Sequence, residues 1–410
     1  MRLSLATAIL VVGLGGTASA QSHQSFDRIE RGRYLAVLSD CAACHTAPGG
    51  QPFAGGLALE TPFGKLVAPN ITPDPETGIG NMTNAEFLAT LHDGRGRNGR
   101  RLYPAMPYPA YTKMSDEDVL AIRAYLATVA PVSKQVISNQ LPFPFNIRLS
   151  MAFWNALNFT PGRYQPNPQK PAEWNRGAYI VEGAAHCGTC HTPKTVLGGD
   201  KNDHALQGAT LQGWFAPNIT NDPRKGIGGW SKDDLIQYLK TGTNSWTLAS
   251  GPMAEAVTHS TSRMTDEDIS AIAAYLKDSD TSGPAPKPNP VTANDGAMRA
   301  GAAIYKDSCA VCHRDAGTGE AHLFPRFAGS ALVQSDDPTT LVRMVLQGAR
   351  AASTSSMPTA PAMPAFDWRL NDTQVAAVLT YIRNSWGNAA SPVSASAIAS
   401  QREGLAKSSN

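Results

Sequence analysis

The 410-residue chain has no cysteine outside three pairs and almost no excess of charge. Its 35 basic and 33 acidic residues leave a formal net charge of +2, which is too small for a nucleic-acid-binding protein. No stretch beyond the N-terminus is long and apolar enough to cross a bilayer. No alternation of apolar and polar residues is sustained enough to predict a sheet. Membrane-spanning, nucleic-acid-binding and β-rich classes are therefore excluded.

The chain is rich in glycine (36) and proline (30), which suits compact helical modules joined by long loops. Its length predicts two to four domains. Residues 1–20 resemble a secretory signal: Arg2 is followed by an apolar run over 8–16 and by the small residues 18–20. We therefore expect export to the periplasm, cleavage after Ala20, and a mature protein that is soluble or peripherally bound to the periplasmic face of the inner membrane.

All six cysteines lie in C-x-x-C-H motifs. The three motifs are Cys41/Cys44/His45, Cys187/Cys190/His191 and Cys309/Cys312/His313. In such a motif both thiols bond the haem vinyl groups and the adjacent histidine ligates the iron. A zinc site needs four closing ligands, which three identical pairs do not supply. A thioredoxin-like redox pair needs a βαβ context, which is missing here. The sequence therefore predicts three covalently attached c-type haems.

The chain repeats itself around these motifs. Arg31–Leu35 precedes the first motif as Arg176–Ile180 precedes the second, and Ala68–Thr72 recurs as Ala216–Thr220. The third unit keeps the outline with less identity. Three repeats of a helix, a haem motif, a long loop and a final helix predict an all-α fold of three tandem domains.

The predicted boundaries follow from these repeats. They are a signal peptide 1–20, domains at 27–130, 173–278 and 295–387, linkers at 131–172 and 279–294, and a disordered tail at 388–410. Ser115, Thr265 and Asn371 are the predicted N-caps of the three final helices. Gly32, Gly177 and Gly301 are expected to let each first helix approach the last one closely, against Tyr125, Tyr275 or Tyr381.

Two surface features leave alternatives open. The first linker carries an apolar stretch over 141–145 and 151–159, which either packs between the first two domains or forms a docking surface for a partner or membrane. The loop before Met106 carries the only basic cluster of the chain, namely Arg95, Arg97, Arg100 and Arg101. That cluster is either a solvated loop face or a partner for haem propionates or an acidic surface.

The sixth iron ligand decides whether the haems are closed for electron transfer or open to a small molecule. Met106, Met253 and Met363 each lie in a proline-containing loop, 61, 62 and 50 residues after His45, His191 and His313. Met357 remains an alternative to Met363. Rival residues in the first two repeats receive other predictions: Met114 and Met264 are core residues, and His92 and His259 are surface or loop residues. The Pro325 carbonyl is expected to accept a hydrogen bond from His313 and orient its ring. Pro69 and Pro217 are expected to do the same in the first and second domains.

On these motifs the chain resembles the three-haem cytochrome c subunits of bacterial periplasmic-side dehydrogenases. The resemblance spans about 27–386 and is most specific at 68–80, 102–126 and 363–382. It implies three cytochrome c folds with Met106, Met253 and Met363 as axial ligands. It also implies a catalytic partner subunit bearing PQQ, flavin or molybdopterin, and ubiquinone or a terminal oxidase as acceptor. Some members carry a C-terminal membrane segment, but this chain ends in a polar Ser/Ala tail.

Three functions are weighed against each other. The chain is expected to be a non-catalytic electron-transfer subunit of a dehydrogenase complex. The alternatives are a free-standing periplasmic electron shuttle and a haem enzyme such as a peroxidase or a sulfur-compound oxidase. A haem enzyme needs at least one iron without a methionine ligand, whereas each repeat offers a methionine. Free shuttles are usually smaller than this chain.

Overall fold

The structure is a computed structural model that describes residues 25–137, 139–279 and 289–408. The predicted signal peptide and most of the second linker lie outside the described residues. Among the described helices, none combines the length and the apolar character that crossing a membrane requires.

The first repeat contains five α-helices and one hairpin. They are α1 (Phe26–Leu38), α2 (Cys41–His45), β1 (Ala58–Thr61), β2 (Gly64–Val67), α3 (Asn84–Asp93), α4 (Tyr108–Tyr111) and α5 (Asp116–Leu126). A 3₁₀ turn at Arg97–Gly99 lies in the basic loop. The first linker adds α6 (Ser150–Asn158).

The second repeat follows the same order. Its elements are α7 (Ala172–Tyr179), a π-helical turn (Ile180–Ala184), α8 (Gly188–His191), β3 (Ala209–Leu211), β4 (Trp214–Ala216), α9 (Lys232–Thr241), α10 (Pro252–His259) and α11 (Asp266–Lys277). Two further 3₁₀ turns are Asn202–His204 and Thr261–Arg263.

The third repeat differs most in its middle. Its elements are α12 (Gly296–Ser308), α13 (Ala310–His313), α14 (Ala331–Gln334), α15 (Thr339–Gln347), β5 (Ala349–Arg350), β6 (Ala362–Met363), α16 (Asp372–Arg383) and α17 (Ala395–Ser408). The all-α prediction is confirmed. The three antiparallel hairpins of the described chain, which the sequence did not predict, have strands of two to four residues, too short to leave an alternating pattern.

In each domain the first helix crosses the last one at a glycine, as expected. A β-carbon on Gly32 would lie 1.8 Å from the Ala121 carbonyl oxygen, and one on Gly177 would lie 1.9 Å from that of Ala271. One on Gly301 would lie 2.2 Å from the Ala377 oxygen. Such distances are impossible for real β-carbons, so only glycine lets the helix backbones approach this closely.

The predicted caps of the final helices form. The side chains of Ser115, Thr265 and Asn371 accept hydrogen bonds from the third backbone N–H of α5, α11 and α16. Only Asn371, with Gln374, completes a reciprocal capping box. In the other two helices the corresponding aspartates point elsewhere, into the contact between the first two domains.

The first two domains share one hydrophobic core and a symmetric set of polar contacts. Tyr34 donates its hydroxyl hydrogen bond to Asp268 (2.7 Å), and Tyr179, its counterpart, donates to Asp118 (2.5 Å). Both aspartates are buried and are also paired within their own domain, with Arg176 and Arg31. The two hydrogen bonds are equivalent in the two domains, because each tyrosine binds the aspartate at the start of the other domain's final helix.

The third domain has its own core and contacts the second domain through its surface. The Thr340 hydroxyl accepts from the Phe215 N–H and donates to the Phe215 carbonyl, and the Arg326 guanidinium lies 4.2 Å from the centre of the Trp246 ring. Ala352, in the loop after β5, is buried against Ala249 and close to Met253. This loop therefore covers the methionine region of the second domain.

The predicted disorder of the C-terminal tail is wrong over residues 395–408. These residues form α17, whose Ile398 and Leu405 are buried against the core of the third domain. Arg402 pairs with Asp372 at the start of α16. Alanine has the highest helix propensity of all residues, and two apolar side chains seven residues apart suffice to dock one helical face. The Ala/Ser-rich composition concealed this pattern.

Candidate haem-binding sites

All three C-x-x-C-H motifs lie on a short helical turn directly after the first helix of their domain. Cys41 begins α2, while Cys187 and Cys309 are the N-caps of α8 and α13. All six thiols are free of disulfides. The helical turn places each histidine next to the second cysteine. Within the described residues, no group of three or more histidine, cysteine or acidic side chains is placed to hold a metal ion.

The two cysteines of each motif lie in different surroundings, a difference that the sequence did not predict. The first cysteine of each motif packs against a hydrophobic core; these are Cys41, Cys187 and Cys309. The second cysteine lies outside the core clusters of the described chain; these are Cys44, which is exposed, and Cys190 and Cys312, which are half-buried. Each motif therefore carries one sulfur against the core and one nearer the surface.

The third motif shows how the spacing brings the two sulfurs together. The Cys312 N–H donates a hydrogen bond to the Cys309 carbonyl at 3.2 Å, so the two residues lie about one helical turn apart. Side chains three residues apart in a helix share one face. Cys312 thus lies on the same side of α13 as Cys309 although only Cys309 contacts the domain core. The thioether bond of each individual sulfur, including that of Cys312, stays a prediction.

The three motif histidines have the same hydrogen bond, as the sequence predicted. Nδ1 of His45 lies 2.8 Å from the Pro69 carbonyl oxygen, Nδ1 of His191 lies 2.6 Å from that of Pro217, and Nδ1 of His313 lies 2.9 Å from that of Pro325. A carbonyl only accepts, so Nδ1 must carry the proton in each ring. Nε2 is thereby left with its lone pair available to iron.

Burial supports this assignment electrostatically. It lowers the pKa of His45, His191 and His313 below the ordinary histidine value, although the carbonyl bond works in the opposite direction. The neutral imidazole is therefore the stable form, and it is the form that binds a metal. Free thiols, a fixed ring orientation and an available Nε2 fit a covalently bound haem at each motif.

One set of residues in these sites escaped the sequence reasoning. Gly55, Gly208 and Gly319 each donate a backbone hydrogen bond to the carbonyl of the motif histidine, at 2.8, 2.7 and 3.0 Å. All three have positive φ angles, of 66°, 94° and 62°. A β-carbon on Gly319 would lie 2.7 Å from the Pro325 carbonyl. These glycines fold the loop back beneath the imidazole. Because the number of residues between histidine and glycine differs among the three domains, the sequence did not show that the glycines are equivalent.

The three predicted methionines lie in different local structures: Met106 directly precedes the N-cap of α4, Met253 lies in α10 and Met363 lies in β6. Met106 and Met253 pack against the shared core of the first two domains, and Met363 lies in β6 against the core of the third domain. That core also includes Cys309. Met357 instead lines a small cavity with Gly242 of the second domain. The structure therefore favours Met363 over Met357, although its role as axial ligand remains a prediction.

The rival residues separate clearly. Met114 and Met264 are 0% and 2% exposed, which confirms them as core residues. His259 is exposed at the end of α10, as predicted. The prediction for His92 was wrong: it is 1% exposed on the inner face of α3, where burial lowers its pKa to about 4. Its ring is therefore a neutral core side chain.

The entrances to the first two motifs contact each other. Nε2 of His186, directly before Cys187, lies 3.3 Å from the carbonyl oxygen of Ser39, and the Ser260 hydroxyl donates to the Leu38 carbonyl at 3.0 Å. Asp40 lies between Ser39 and Cys41 in the sequence. Its pKa is raised to about 7 by burial and by the nearby Glu255 carboxylate. The contact fixes the two haem attachment points relative to each other.

The third motif has an aromatic surround of its own. Phe327 stacks on the His313 ring with 4.2 Å between centroids, and Tyr305 lies 5.0 Å from Trp386. These aromatic residues have no counterparts in the other domains, so repeat comparison alone did not reveal them. The Phe327 ring face and the Pro325 carbonyl together hold the His313 imidazole in one orientation.

Comparison with known proteins agrees with this geometry. A model of the cytochrome c family matches residues 29–130, 175–280 and 298–386, one match for each domain and together more than half of the chain.

Curated relatives match nearly the whole chain. The gluconate 2-dehydrogenase cytochrome c subunit of Pantoea cypripedii is 42% identical, with 96% of this chain and 94% of the relative covered. The alcohol dehydrogenase (quinone) cytochrome c subunit of Gluconobacter oxydans is 38% identical over 97% and 86%. The fructose dehydrogenase cytochrome subunit of Gluconobacter japonicus is 40% identical over 92% and 83%. With three complete motifs, this protein carries three covalent c-type haems, and it belongs to the cytochrome c family.

Proposed function

We propose that the chain is the electron-transfer subunit of a dehydrogenase complex. It would accept electrons from a catalytic subunit bearing flavin, PQQ or molybdopterin and deliver them to ubiquinone or a terminal oxidase, at the periplasmic face of the inner membrane. The relatives named above are cytochrome subunits of gluconate, alcohol and fructose dehydrogenases, which supports a dehydrogenase partner. When bound, the haems supply reversible one-electron redox chemistry at iron.

The observation that carries the proposal is the threefold repetition of one histidine site. Each domain holds a neutral histidine whose ring is oriented by a proline carbonyl, and each offers a methionine as the candidate sixth ligand. A thioether in the sixth position leaves no place on the iron for a substrate, and Met/His ligation is typical of electron-carrying cytochromes. A haem enzyme would need at least one site of another kind.

The protein supplies a rigid support for this function. The shared core and the tyrosine–aspartate bonds hold the first two domains together, and the Thr340 and Arg326 contacts fix the third on the second. Fixed distances between redox groups favour electron transfer because little reorganisation is required at each step. A chain of three such domains is suited to conducting electrons from one protein surface to another.

Affinity purification of the tagged holoprotein from its native host tests the proposal. A stoichiometric partner carrying flavin, PQQ or molybdenum, with dye-linked dehydrogenase activity in the same fraction, is expected. A stable trihaem protein that purifies alone would contradict the subunit assignment in favour of a free electron shuttle.

Carbon monoxide binding to the reduced protein tests the closed sites. We expect none in the wild type, whereas Met363→Ala should bind about one equivalent and serves as the positive control. Binding to the native wild-type protein would indicate an open iron and favour a haem enzyme.

A further inference from the structure

The linker between the first two domains presents an unusual outward surface. Phe143, Leu149, Phe153 and Leu157 are 79%, 75%, 67% and 59% exposed. The last three are spaced by four residues along α6 and its N-cap, so they share one face of the helix. A surface helix normally turns polar residues outward. Here the outward face is apolar, and we call these four side chains the apolar ridge.

The opposite face of the same segment is firmly packed. Trp154 is buried and donates its indole hydrogen bond to the Leu197 carbonyl of the second domain (2.8 Å). The Tyr108 hydroxyl donates to Asn155 (2.6 Å), and the Phe145 ring lies 5.1 Å from Phe63. The linker therefore packs on both domains through one face and exposes the ridge through the other. A contiguous exposed apolar surface of this kind is typical of an interaction site.

The basic loop lies against this segment. Arg148 donates a hydrogen bond to the Arg101 carbonyl (2.8 Å) and stacks over Tyr103, whose hydroxyl donates to the Phe145 carbonyl (2.8 Å). We call Arg95, Arg97, Arg100 and Arg101 the arginine loop. Across the part of the chain that the structure describes, these four guanidinium groups form no ion pair within 4.0 Å. The ridge is thus flanked by positive charge that no acidic side chain of the described residues neutralises in an ion pair.

We propose that the apolar ridge and the arginine loop together bind the surface of an anionic phospholipid bilayer, with α6 lying in the interface. Nine helical residues span only about 14 Å, so α6 can rest in the headgroup region but cannot cross the membrane. Apolar side chains enter the acyl boundary while arginines pair with lipid phosphates, which is the combination that interfacial helices use. The positive charge of the arginine loop favours anionic lipid over a neutral apolar partner.

The proposal goes beyond the electron-transfer function and does not depend on it, because lipid binding requires neither an electron donor nor an acceptor. It assigns membrane attachment to the linker. It also resolves the two interpretations of this apolar segment, since packing and docking belong to opposite faces of the same helix.

Co-sedimentation of the mature holoprotein with vesicles tests the proposal. We expect binding to vesicles of phosphatidylcholine with phosphatidylglycerol, and much weaker binding to phosphatidylcholine alone or at high salt. The double variant Leu149→Ser/Phe153→Gln should lower the partition coefficient about tenfold or more, because it removes two inserting side chains. Arg97→Gln/Arg100→Gln should lower it several-fold and weaken its salt dependence.

The control variant is Trp368→Ser, which removes a 79% exposed apolar side chain from the third domain. It should bind vesicles as the wild type does. Haem absorption and thermal unfolding show whether each variant is folded. Equal binding by wild type and the ridge variant, or loss of binding in Trp368→Ser, would overturn the proposal. So would a ridge variant that still sediments with vesicles but no longer co-purifies with a catalytic subunit, because the ridge would then be a subunit interface.

Discussion

Replacing Gly301 by alanine tests how closely the first helix of the third domain packs on the last. A β-carbon at this position would lie 2.2 Å from the Ala377 carbonyl oxygen and 2.7 Å from the Tyr381 β-carbon. Real β-carbons keep at least 3.0 Å from such atoms. The crossing of α12 and α16 must therefore open by about 0.8 Å. Overpacking of this kind costs about 1–3 kcal/mol, which outweighs the gain of up to about 1 kcal/mol from replacing a helical glycine.

The measurement is differential scanning calorimetry of the holoprotein, with the absorbance of the methionine-ligated haem followed in parallel. For a domain of this size, 1 kcal/mol shifts the midpoint by about 4–8 °C. We expect the transition of the third domain to fall by at least about 4 °C. The matched control is Gly296→Ala in the same helix, where nothing lies within 4 Å of the added carbon, and it should be neutral or slightly stabilising. Equal or higher stability of Gly301→Ala would refute the close-packing argument.

Three further predictions follow from single contacts. In a spectroelectrochemical titration, Met363→Leu should lower one of the three haem reduction potentials by at least about 0.1 V, within the roughly 0.8 V range that axial ligands span. Met357→Leu should change none of them, and the reverse result would make Met357 the ligand. Tyr34→Phe and Tyr179→Phe should each lower the free energy of unfolding by about 1–2 kcal/mol, because each removes a hydrogen bond to a buried carboxylate. The calorimetric midpoint of the first two domains should fall while that of the third domain stays unchanged. Equal shifts of both midpoints would contradict the described interface. Asp40 has a pKa of about 7 in the folded state against an ordinary value of 3.8, so the folded state binds the proton more tightly and loses stability as the pH rises from about 4 to 7. Asp40→Asn should flatten this pH dependence of the unfolding free energy in denaturant titrations. An unchanged slope would show that Asp40 is ionised in the native state.

Much of the site could be predicted because its determinants are local. A C-x-x-C-H motif places two haem-attachment sulfurs and one iron ligand within five residues. A capped helix start is likewise recognised from four consecutive residues. The carbonyl of Pro325 could be assigned to His313 because only twelve residues separate them. The glycine crossings were predictable from their repeated offset before each motif, although the exact neighbour of Gly32 proved to be the backbone of α5 rather than Tyr125.

The features that were missed depend on contacts between distant parts of the chain. The tyrosine–aspartate exchange joins residues more than 60 positions apart, and nothing in the local sequence of Tyr34 points to Asp268. His92 looked like a surface residue because it lacks a counterpart in the other repeats, yet α3 turns it into the core. In α17, composition indicated disorder, while two well-placed apolar residues dock the helix on the third domain.

The most direct test of the central claim is to add substrate to the purified native complex under anaerobic conditions while recording the haem spectrum. Sugars, aldonates, alcohols and aldehydes would be tried in turn. The account predicts that one of them reduces all three haems of this chain in the complex, and that none reduces the isolated chain. A complex that turns over substrate with an artificial dye while these haems stay oxidised would contradict the account.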